Sequence, residues 1–330
     1  MKKWMMGAIA AATGLAMSGP AFAADPVTLQ LKWVTQAQFA GYLVAKAKGF
    51  YDAEGLDVTI KPGGPDISPV QVIAAGGADV IVDWMADALA SREKGVKLVN
   101  IAQPFKGSGL LLVCRKDTGI ATPADFKGKT LGVWFYGNEY PFMAWMNKLG
   151  YKTEGGADGV TVLKQAFNVD PLVQKQADCI SAMTYNEYGQ ILDAGLKAED
   201  LVVFNYRDEN VGMLEDGLYA LEDKLSDPAY VDKLARFVKA SEKGWAYARE
   251  NPDEAAQITV DADESGSQTL DHQKYMIGEV NKLTAGTSGA LEPADYKQTV
   301  QTMLSAGGVI SKEPDATATT TAVTDKAGLK

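Results

Sequence analysis

The chain has 330 residues, of which 46% are hydrophobic and 22% charged, and its formal net charge is −10 at pH 7. This length predicts two lobes, because one domain usually takes about 100 to 200 residues. The excess of acidic side chains excludes nucleic acid and anionic membrane surfaces as partners.

The first 23 residues have the features of a secretory signal peptide. Lys2 and Lys3 give it a positive start, an apolar stretch rich in Gly, Ala and Met follows, and Ala21, Phe22 and Ala23 form a small-x-small cleavage site. No later stretch has the roughly 18 consecutive apolar residues that span a bilayer. We therefore expect a periplasmic protein that is cleaved after Ala23 and does not insert into the membrane.

Strand and helix patterns alternate from residue 27 onward. A strand over residues 27–33, a helix over 37–48, the strand LDVTI, a helix that begins after Ser68 and the strand ADVIVDW make up the first lobe. Such alternation predicts an α/β fold in which each lobe is a mostly parallel sheet flanked by helices. The apolar strand at 109–117 then marks the crossing into a second lobe.

The second lobe contains strand patterns at 130–134, VTVLKQAF, 179–184 and LVVFNY, and a helix at 186–194. A return crossing at 212–221 leads into helical stretches at 228–250, 252–259, 269–283 and 293–305. The pattern therefore predicts two α/β lobes with two crossing strands between them. The predicted division is a signal peptide (1–23), lobe 1 (24–108 and 214–312), lobe 2 (109–213) and a disordered tail (313–330).

The two cysteines, Cys114 and Cys179, each lie within a predicted strand. This number excludes a disulfide-rich scaffold and a cysteine-ligated zinc site. An oxidising compartment permits one bridge, but two buried unpaired thiols fit the sequence equally well.

Three tryptophans stand where predicted strands end. Trp33 follows VTLQLK, Trp84 follows ADVIVD and Trp134 follows KTLGV, and a fourth strand, CISAMT, ends in the aromatic block of residues 185–188. The carboxyl ends of strands form the ligand-binding edge of an open α/β sheet. Aromatic rings collected there predict a site for a planar small molecule, although Trp84 could equally be a core residue.

Acids and amides predominate among the polar residues at the same strand ends, and arginine is scarce. A carboxylate such as Glu187 can accept a hydrogen bond from an exocyclic amine, whereas an anionic ligand calls for arginine. Asn186 as a helix cap, Asp216 as a turn residue and Asp83 as a partner of backbone groups are the structural alternatives. The predicted ligand-binding set is Trp33, Gln38, Asp83, Trp84, Trp134, Tyr136, Asn138, Tyr185, Asn186, Glu187, Tyr188 and Asp216.

The sequence lacks the residues that catalysis or metal binding would need. After the signal peptide only one histidine remains, His272, in a polar helix that predicts a solvated surface position. Neither a Ser-His-Asp triad nor a histidine-rich metal site can be built from it, and no nucleotide or metalloprotease motif is present. We expect no catalytic residue, no metal and no cofactor.

The segments LQLKWVTQAQFAGYLVAKAKGFYDAEGLDVTIKPGG, TPADFKGKTLGVW and YNEY resemble the thiamine-pyrimidine-precursor-like family of periplasmic solute-binding proteins of ABC importers. The resemblance covers residues 27–310 and implies a two-lobed, type II-like periplasmic binding protein with two crossing strands at its hinge. The two lobes of such a protein close on a ligand. It carries over as binding residues only Trp33, Trp134 and the block from Tyr185 to Tyr188. Members bind aminopyrimidine precursors of thiamine, and relatives bind riboflavin, alkanesulfonates or nitrate.

A related fungal pyrimidine synthase has the same fold but uses a histidine in the first strand-helix loop together with a cysteine-rich iron motif. Here that loop reads TQAQF, without histidine, and no cysteine cluster exists. From the residues and the resemblance together we expect a receptor that delivers a planar, amine-bearing heterocycle, in the first instance a thiamine-precursor pyrimidine, to an ABC permease in the inner membrane. We expect this receptor to be a monomer. Riboflavin, a nucleobase-like compound or an organic anion stays open as the ligand, and a secreted enzyme of pyrimidine metabolism is the alternative of another class.

Overall fold

The structure is a computed structural model that describes residues 23–135, 137–166, 168–305 and 309–329. The predicted signal peptide, apart from Ala23, and the predicted site residue Tyr136 lie outside these ranges. In the described part of the chain no helix combines the length and the apolarity that crossing a bilayer requires.

In the described ranges, ten strands form two sheets of five. The first sheet has the order β2-β1-β3-β10-β4 and the second the order β7-β6-β8-β5-β9. The strands are β1 Asp25–Gln30, β2 Leu56–Lys61, β3 Val80–Asp83, β4 Leu98–Ala102, β5 Leu110–Arg115, β6 Thr130–Val133, β7 Thr161–Lys164, β8 Cys179–Met183, β9 Leu201–Asn205 and β10 Gly217–Leu221.

Helices cover the sheets, and the longest of them, α8, packs against the first sheet's helix α1. Short 3₁₀ turns connect several elements. The α-helices are α1 Ala40–Ala47, α2 Phe50–Ala53, α3 Pro69–Ala74, α4 Met85–Glu93, α5 Glu139–Leu149, α6 Asp170–Val173, α7 Glu187–Asp193, α8 Pro228–Glu250, α9 Pro252–Ala262, α10 Leu270–Thr284, α11 Pro293–Ser305 and α12 Ala322–Ala327.

In each sheet, four strands run in one direction and one runs against them. In the first sheet the reversed strand is β10, which pairs antiparallel with β3 and β4. In the second it is β5, which pairs antiparallel with β8 and β9. Each reversed strand is the first that the chain forms after crossing from the other sheet, so the two crossings explain why the sheets are mostly but not wholly parallel.

The two sheets use separate parts of the chain. All strands of the second sheet lie within residues 110–205, and those of the first lie before and after that range. The domain boundaries at 108/109 and 213/214 stay a prediction. The strand β4 and the helix α4 before it had not been predicted. β4 is the last strand that the first sheet receives before the first crossing, and β10 joins that sheet after the return crossing.

Cys114 and Cys179 form a disulfide. They lie directly opposite each other on the antiparallel strands β5 and β8. The sequence left this pairing open, because it gives no distance between two strands that are 65 residues apart.

The prediction of a disordered tail from residue 313 is wrong. Asp315 pairs with the buried guanidinium of Arg92 at 2.6 Å, Thr319 forms a bridge beside β4, and α12 buries Val323 completely. The segment lacks an apolar period, but these few anchoring contacts suffice to order it.

The crossing of α1 and α8 is unusually close. A Cβ atom on Gly244 would lie 2.0 Å from the carbonyl oxygen of Gly41, and one on Gly41 would lie 2.1 Å from the ring of Trp245. Only glycine permits such an approach. The contact fixes α1, whose preceding turn carries two of the glutamines described below.

Candidate functional site

The carboxyl ends of β1, β3, β6 and β8 meet at one cleft between the two sheets. The cleft is narrow in this structure, with a volume of about 40 Å³. Both sheets contribute, because the loops after β1 and β3 belong to the first and those after β6 and β8 to the second. Eight predicted site residues line it: Trp33, Gln38, Trp84, Trp134, Asn138, Tyr185, Asn186 and Glu187.

The aromatic walls differ in burial. Trp33 is half-buried, whereas Trp134, Trp84 and Tyr185 are 8%, 1% and 1% exposed. The indole Nε1 of Trp134 donates to the carbonyl oxygen of Ala166 at 3.0 Å, which fixes the ring plane. Trp84 belongs both to the cleft wall and to the hydrophobic core. The sequence posed these roles as alternatives.

The loop that carries Trp33 is held by a close backbone contact. Gly63 donates its backbone N–H to the carbonyl oxygen of Trp33 at 2.8 Å. A Cβ atom at Gly63 would lie 2.3 Å from the carbonyl oxygen of Leu31, so a larger residue would displace the loop. The glycine that follows β2 therefore positions a wall of the cleft.

Glu187 is a buried carboxylate at the first position of α7. Its Oε2 accepts from the backbone N–H of Met183 at 2.9 Å, and its Oε1 accepts from Nδ2 of Asn186 at 2.9 Å. Burial raises the pKa of Glu187 to about 7, against which these hydrogen bonds act. Each carboxylate oxygen keeps a second lone pair, so the group can accept further bonds from a ligand.

His272 holds the amide of Asn186 in place. Its Nε2 lies 2.8 Å from Oδ1 of Asn186, which also accepts from Nε2 of Gln190 at 3.2 Å. The sequence predicted a solvated surface histidine, and that prediction is wrong: α10 packs against α7 and brings the ring, which is 15% exposed, to Asn186 at the edge of the cleft. Sequence periodicity does not reveal which two helices pack together.

One lysine is surrounded by acids at the base of the cleft. Nζ of Lys32 lies 4.4 Å from the ring centroid of Trp84 and 3.8 Å from Oδ1 of Asp216. Its charge also lowers the pKa values of Asp83 and Glu215, although burial raises both, Glu215 to about 8. Asp83, Glu215 and Asp216 do not line the cleft, and their raised pKa values favour the uncharged forms of their carboxyl groups.

Three predicted residues do not line the cleft. Asp216 lies behind it and accepts from Nε2 of Gln38 at 2.7 Å, and Asp83 lies behind Trp84 and accepts from that residue's backbone N–H at 2.8 Å. Tyr188 packs against the hydrophobic cluster of the second sheet, because consecutive helical residues point about 100° apart and Glu187 already faces the cleft. Asp83 therefore accepts a hydrogen bond from a backbone group, which was the structural alternative for this residue.

Three residues line the cleft without having been in the predicted set: Lys32, Gln36 and Met183. Lys32 directly precedes Trp33, and Gln36 is joined to Gln38 by a hydrogen bond of 2.6 Å between their side chains. Their strand-end positions could have identified both. Met183 is the last residue of β8, where the pattern of the sequence indicated only a buried strand.

A further acid, Glu242 of α8, is buried away from the cleft. Burial raises its pKa from 4.5 to about 7 and Arg249 lowers it. Among the described residues, its Oε1 has no hydrogen-bond partner. A raised pKa in the folded state adds stability that is fully present below about pH 4.5 and is lost as the pH rises through about 7.

Replacing Glu242 by glutamine is therefore expected to reduce the pH dependence of stability. In the ligand-free wild-type protein, ionisation of Glu242 should lower the free energy of unfolding by about 1 kcal/mol as the pH rises from about 6 to about 7.5. Urea unfolding of wild type and Glu242→Gln at the two pH values measures the difference. Glu250→Gln, at the exposed end of the same helix, should behave as wild type; equal pH dependence in all three proteins would contradict the assignment.

Similarity to known proteins agrees with this architecture. The model of the family described as NMT1/THI5 like matches residues 36–255. The chain belongs to the NMT1/THI5-like family. Solved structures of periplasmic binding proteins share its fold.

Relatives of this NMT1/THI5-like chain include both binding proteins and an enzyme. A formylaminopyrimidine-binding protein of Halalkalibacterium halodurans is 26% identical over 72% of this chain and 71% of its own. A protein of Legionella pneumophila named as a hydroxymethylpyrimidine phosphate synthase is 24% identical over 72% and 73%. The ligand-binding component of an ABC-type import system from Staphylococcus aureus, solved with zinc bound, superposes with a TM-score of 0.66 at 12% identity over 92% and 99%.

Proposed function

We propose that the protein is the periplasmic ligand-binding component of an ABC importer and that it captures a planar, amine-bearing heterocycle, a thiamine-precursor pyrimidine in the first instance. The observation that carries the proposal is the buried carboxylate of Glu187 in a cleft walled by Trp33, Trp134 and Tyr185. Aromatic faces bind a flat ring whatever its substituents, whereas the carboxylate selects a ring that donates hydrogen bonds.

The charges at the cleft favour this ligand over an anion. Lys32 is the only cation among the described residues that line the cleft, and it is already paired with Asp216. A sulfonate or nitrate needs unpaired donors, such as those of arginine, and would lie beside Glu187. An amine instead meets Glu187, the one carboxyl group among the described residues that line the cleft.

We propose that the protein binds its ligand without converting it. Among the described residues no group of three or more histidines, cysteines, aspartates or glutamates has the geometry to hold a metal. His272, the one histidine after the signal peptide, is hydrogen-bonded to Asn186 and lines the space next to the cleft. Relatives include a protein named as a synthase, so turnover of an aminopyrimidine by the purified protein would contradict this part of the proposal.

Native mass spectrometry in a competition tests the proposed ligand class. The purified protein is incubated with equal concentrations of hydroxymethylpyrimidine, riboflavin and an alkanesulfonate. We expect one aminopyrimidine per chain in the bound species. A complex with the sulfonate instead would contradict the proposal, and a complex with riboflavin would keep the receptor class but change the ligand.

A further inference from the structure

The cleft continues into a second space, which we call the outer chamber. Trp33, Gln36, Asn186 and Glu187 line both, so these four side chains stand between the two spaces. Beyond them the outer chamber is bounded by α7, by the loop before α10 and by the first turn of α10. A substituent on a ring held in the cleft could therefore reach it between Trp33 and Asn186.

The outer chamber is polar but has no lysine or arginine among its described lining. Gln190 and Gln268 contribute amides, Ser267 and Thr269 contribute hydroxyls, and Asp193 is a second acid beside Glu187. Burial lowers the pKa of His272, so the imidazole is neutral at pH 7. Groups of this kind hydrogen-bond uncharged polar atoms and offer no counter-charge to an anion.

Hydrogen bonds organise the wall between the two spaces before any ligand arrives. His272 and Gln190 both bind Oδ1 of Asn186, whose Nδ2 in turn donates to Glu187. On the opposite wall, Nε2 of Gln36 donates to Oε1 of Gln38 at 2.6 Å. A side chain fixed in this way binds without losing further conformational freedom, which favours a specific subsite over a simple entrance.

We propose that the outer chamber is a second subsite, which accepts an uncharged polar substituent of the ring held in the cleft and rejects a phosphorylated one. The proposal rests on the proposed function, because it takes the ring to lie between the tryptophans. A phosphate in the chamber would lie near Asp193 and Glu187, and the described lining offers no lysine or arginine to offset its charge. Like charges brought together in this way oppose binding.

Three ligands test the subsite by calorimetry on the wild-type protein: hydroxymethylpyrimidine with its short arm, formylaminopyrimidine with a longer uncharged arm, and hydroxymethylpyrimidine phosphate. We expect the longer uncharged arm to bind at least as tightly as the short one and the phosphate to bind at least about tenfold more weakly. If hydroxymethylpyrimidine phosphate bound as tightly as hydroxymethylpyrimidine, the proposed subsite would be overturned. Absence of binding by all three would instead overturn the proposed function.

A charge reversal in the chamber gives the sharper test. Asp193 is 78% exposed, so Asp193→Lys should fold normally. We divide the dissociation constant of hydroxymethylpyrimidine phosphate by that of hydroxymethylpyrimidine. We expect Asp193→Lys to lower this ratio about fivefold, because an exposed charge has only a modest effect. Glu199→Lys makes the same change of charge on a side chain that is 75% exposed and does not line the chamber, and it should leave the ratio within about twofold.

The variants also separate a subsite from an entrance. If the chamber were only the route into the cleft, Asp193→Lys would change association rates and leave the ratio of equilibrium constants as in wild type. An unchanged ratio in Asp193→Lys, or an equal change in Glu199→Lys, would overturn the proposal while the affinity of hydroxymethylpyrimidine itself still supported the proposed function.

Discussion

Replacing Trp134 by alanine is expected to weaken the binding of an aminopyrimidine about 30-fold, a loss of about 2 kcal/mol. The indole is 8% exposed and its plane is fixed by the hydrogen bond to the carbonyl oxygen of Ala166. A ligand ring that stacks on it gains contact area without having to order the side chain. Truncation removes that surface and admits water to the cleft.

Titration calorimetry on wild type and Trp134→Ala measures this loss, with circular dichroism to establish that the variant is folded. The matched control is Phe135→Ala, because Phe135 is the next residue, is 38% exposed and does not line the cleft. It should bind within about twofold of wild type. Equal losses in the two variants would show that the Trp134 ring does not contact the ligand.

Exchange of Glu187 for glutamine is expected to weaken binding of an aminopyrimidine by about 2 kcal/mol, or about 30-fold, because it removes a charge-assisted hydrogen bond. The shape of the side chain is kept. However, an amide can accept from only one of its two present donors, the backbone N–H of Met183 and Nδ2 of Asn186. For an analogue with a hydroxyl in place of the amine, the exchange Glu187→Gln should weaken binding much less.

The matched control for this exchange is Glu139→Gln. Glu139 occupies the first position of α5 as Glu187 does that of α7, and burial raises the pKa of both. Glu139 does not line the cleft, and its Oε2 accepts from the backbone N–H of Gly137 at 2.8 Å. Undiminished affinity in Glu187→Gln, or the same loss in Glu139→Gln, would remove Glu187 from the recognition of the amine.

Local sequence patterns predicted most of the cleft because its walls follow strands directly. Trp33, Trp84 and Trp134 each follow a strand that a run of apolar residues marks, and the carboxyl ends of those strands meet in this fold. The short helix capped by Ser68 was predictable for a similar reason, since its cap and its proline are adjacent in sequence. Such features depend on neighbouring residues alone.

Features that depend on packing between distant elements were not predictable. The rotation of α7 decides that Glu187 faces the cleft and Tyr188 the core, and the contact of α10 with α7 brings His272 to Asn186. The ordering of the tail requires Arg92 more than 200 residues earlier in the chain. Hydrophobic periodicity gives the face of a helix but not the partner against which that face packs.

Isothermal calorimetry of the wild-type protein with hydroxymethylpyrimidine, and in parallel with an alkanesulfonate, tests the central claim most directly. The claim is that a cleft of aromatic rings with the buried carboxyl group of Glu187 binds an amine-bearing ring. We expect one site per chain with a dissociation constant of about 1 μM or lower for the pyrimidine, and no saturable heat for the sulfonate. Saturable binding of the sulfonate without binding of the pyrimidine would contradict the account.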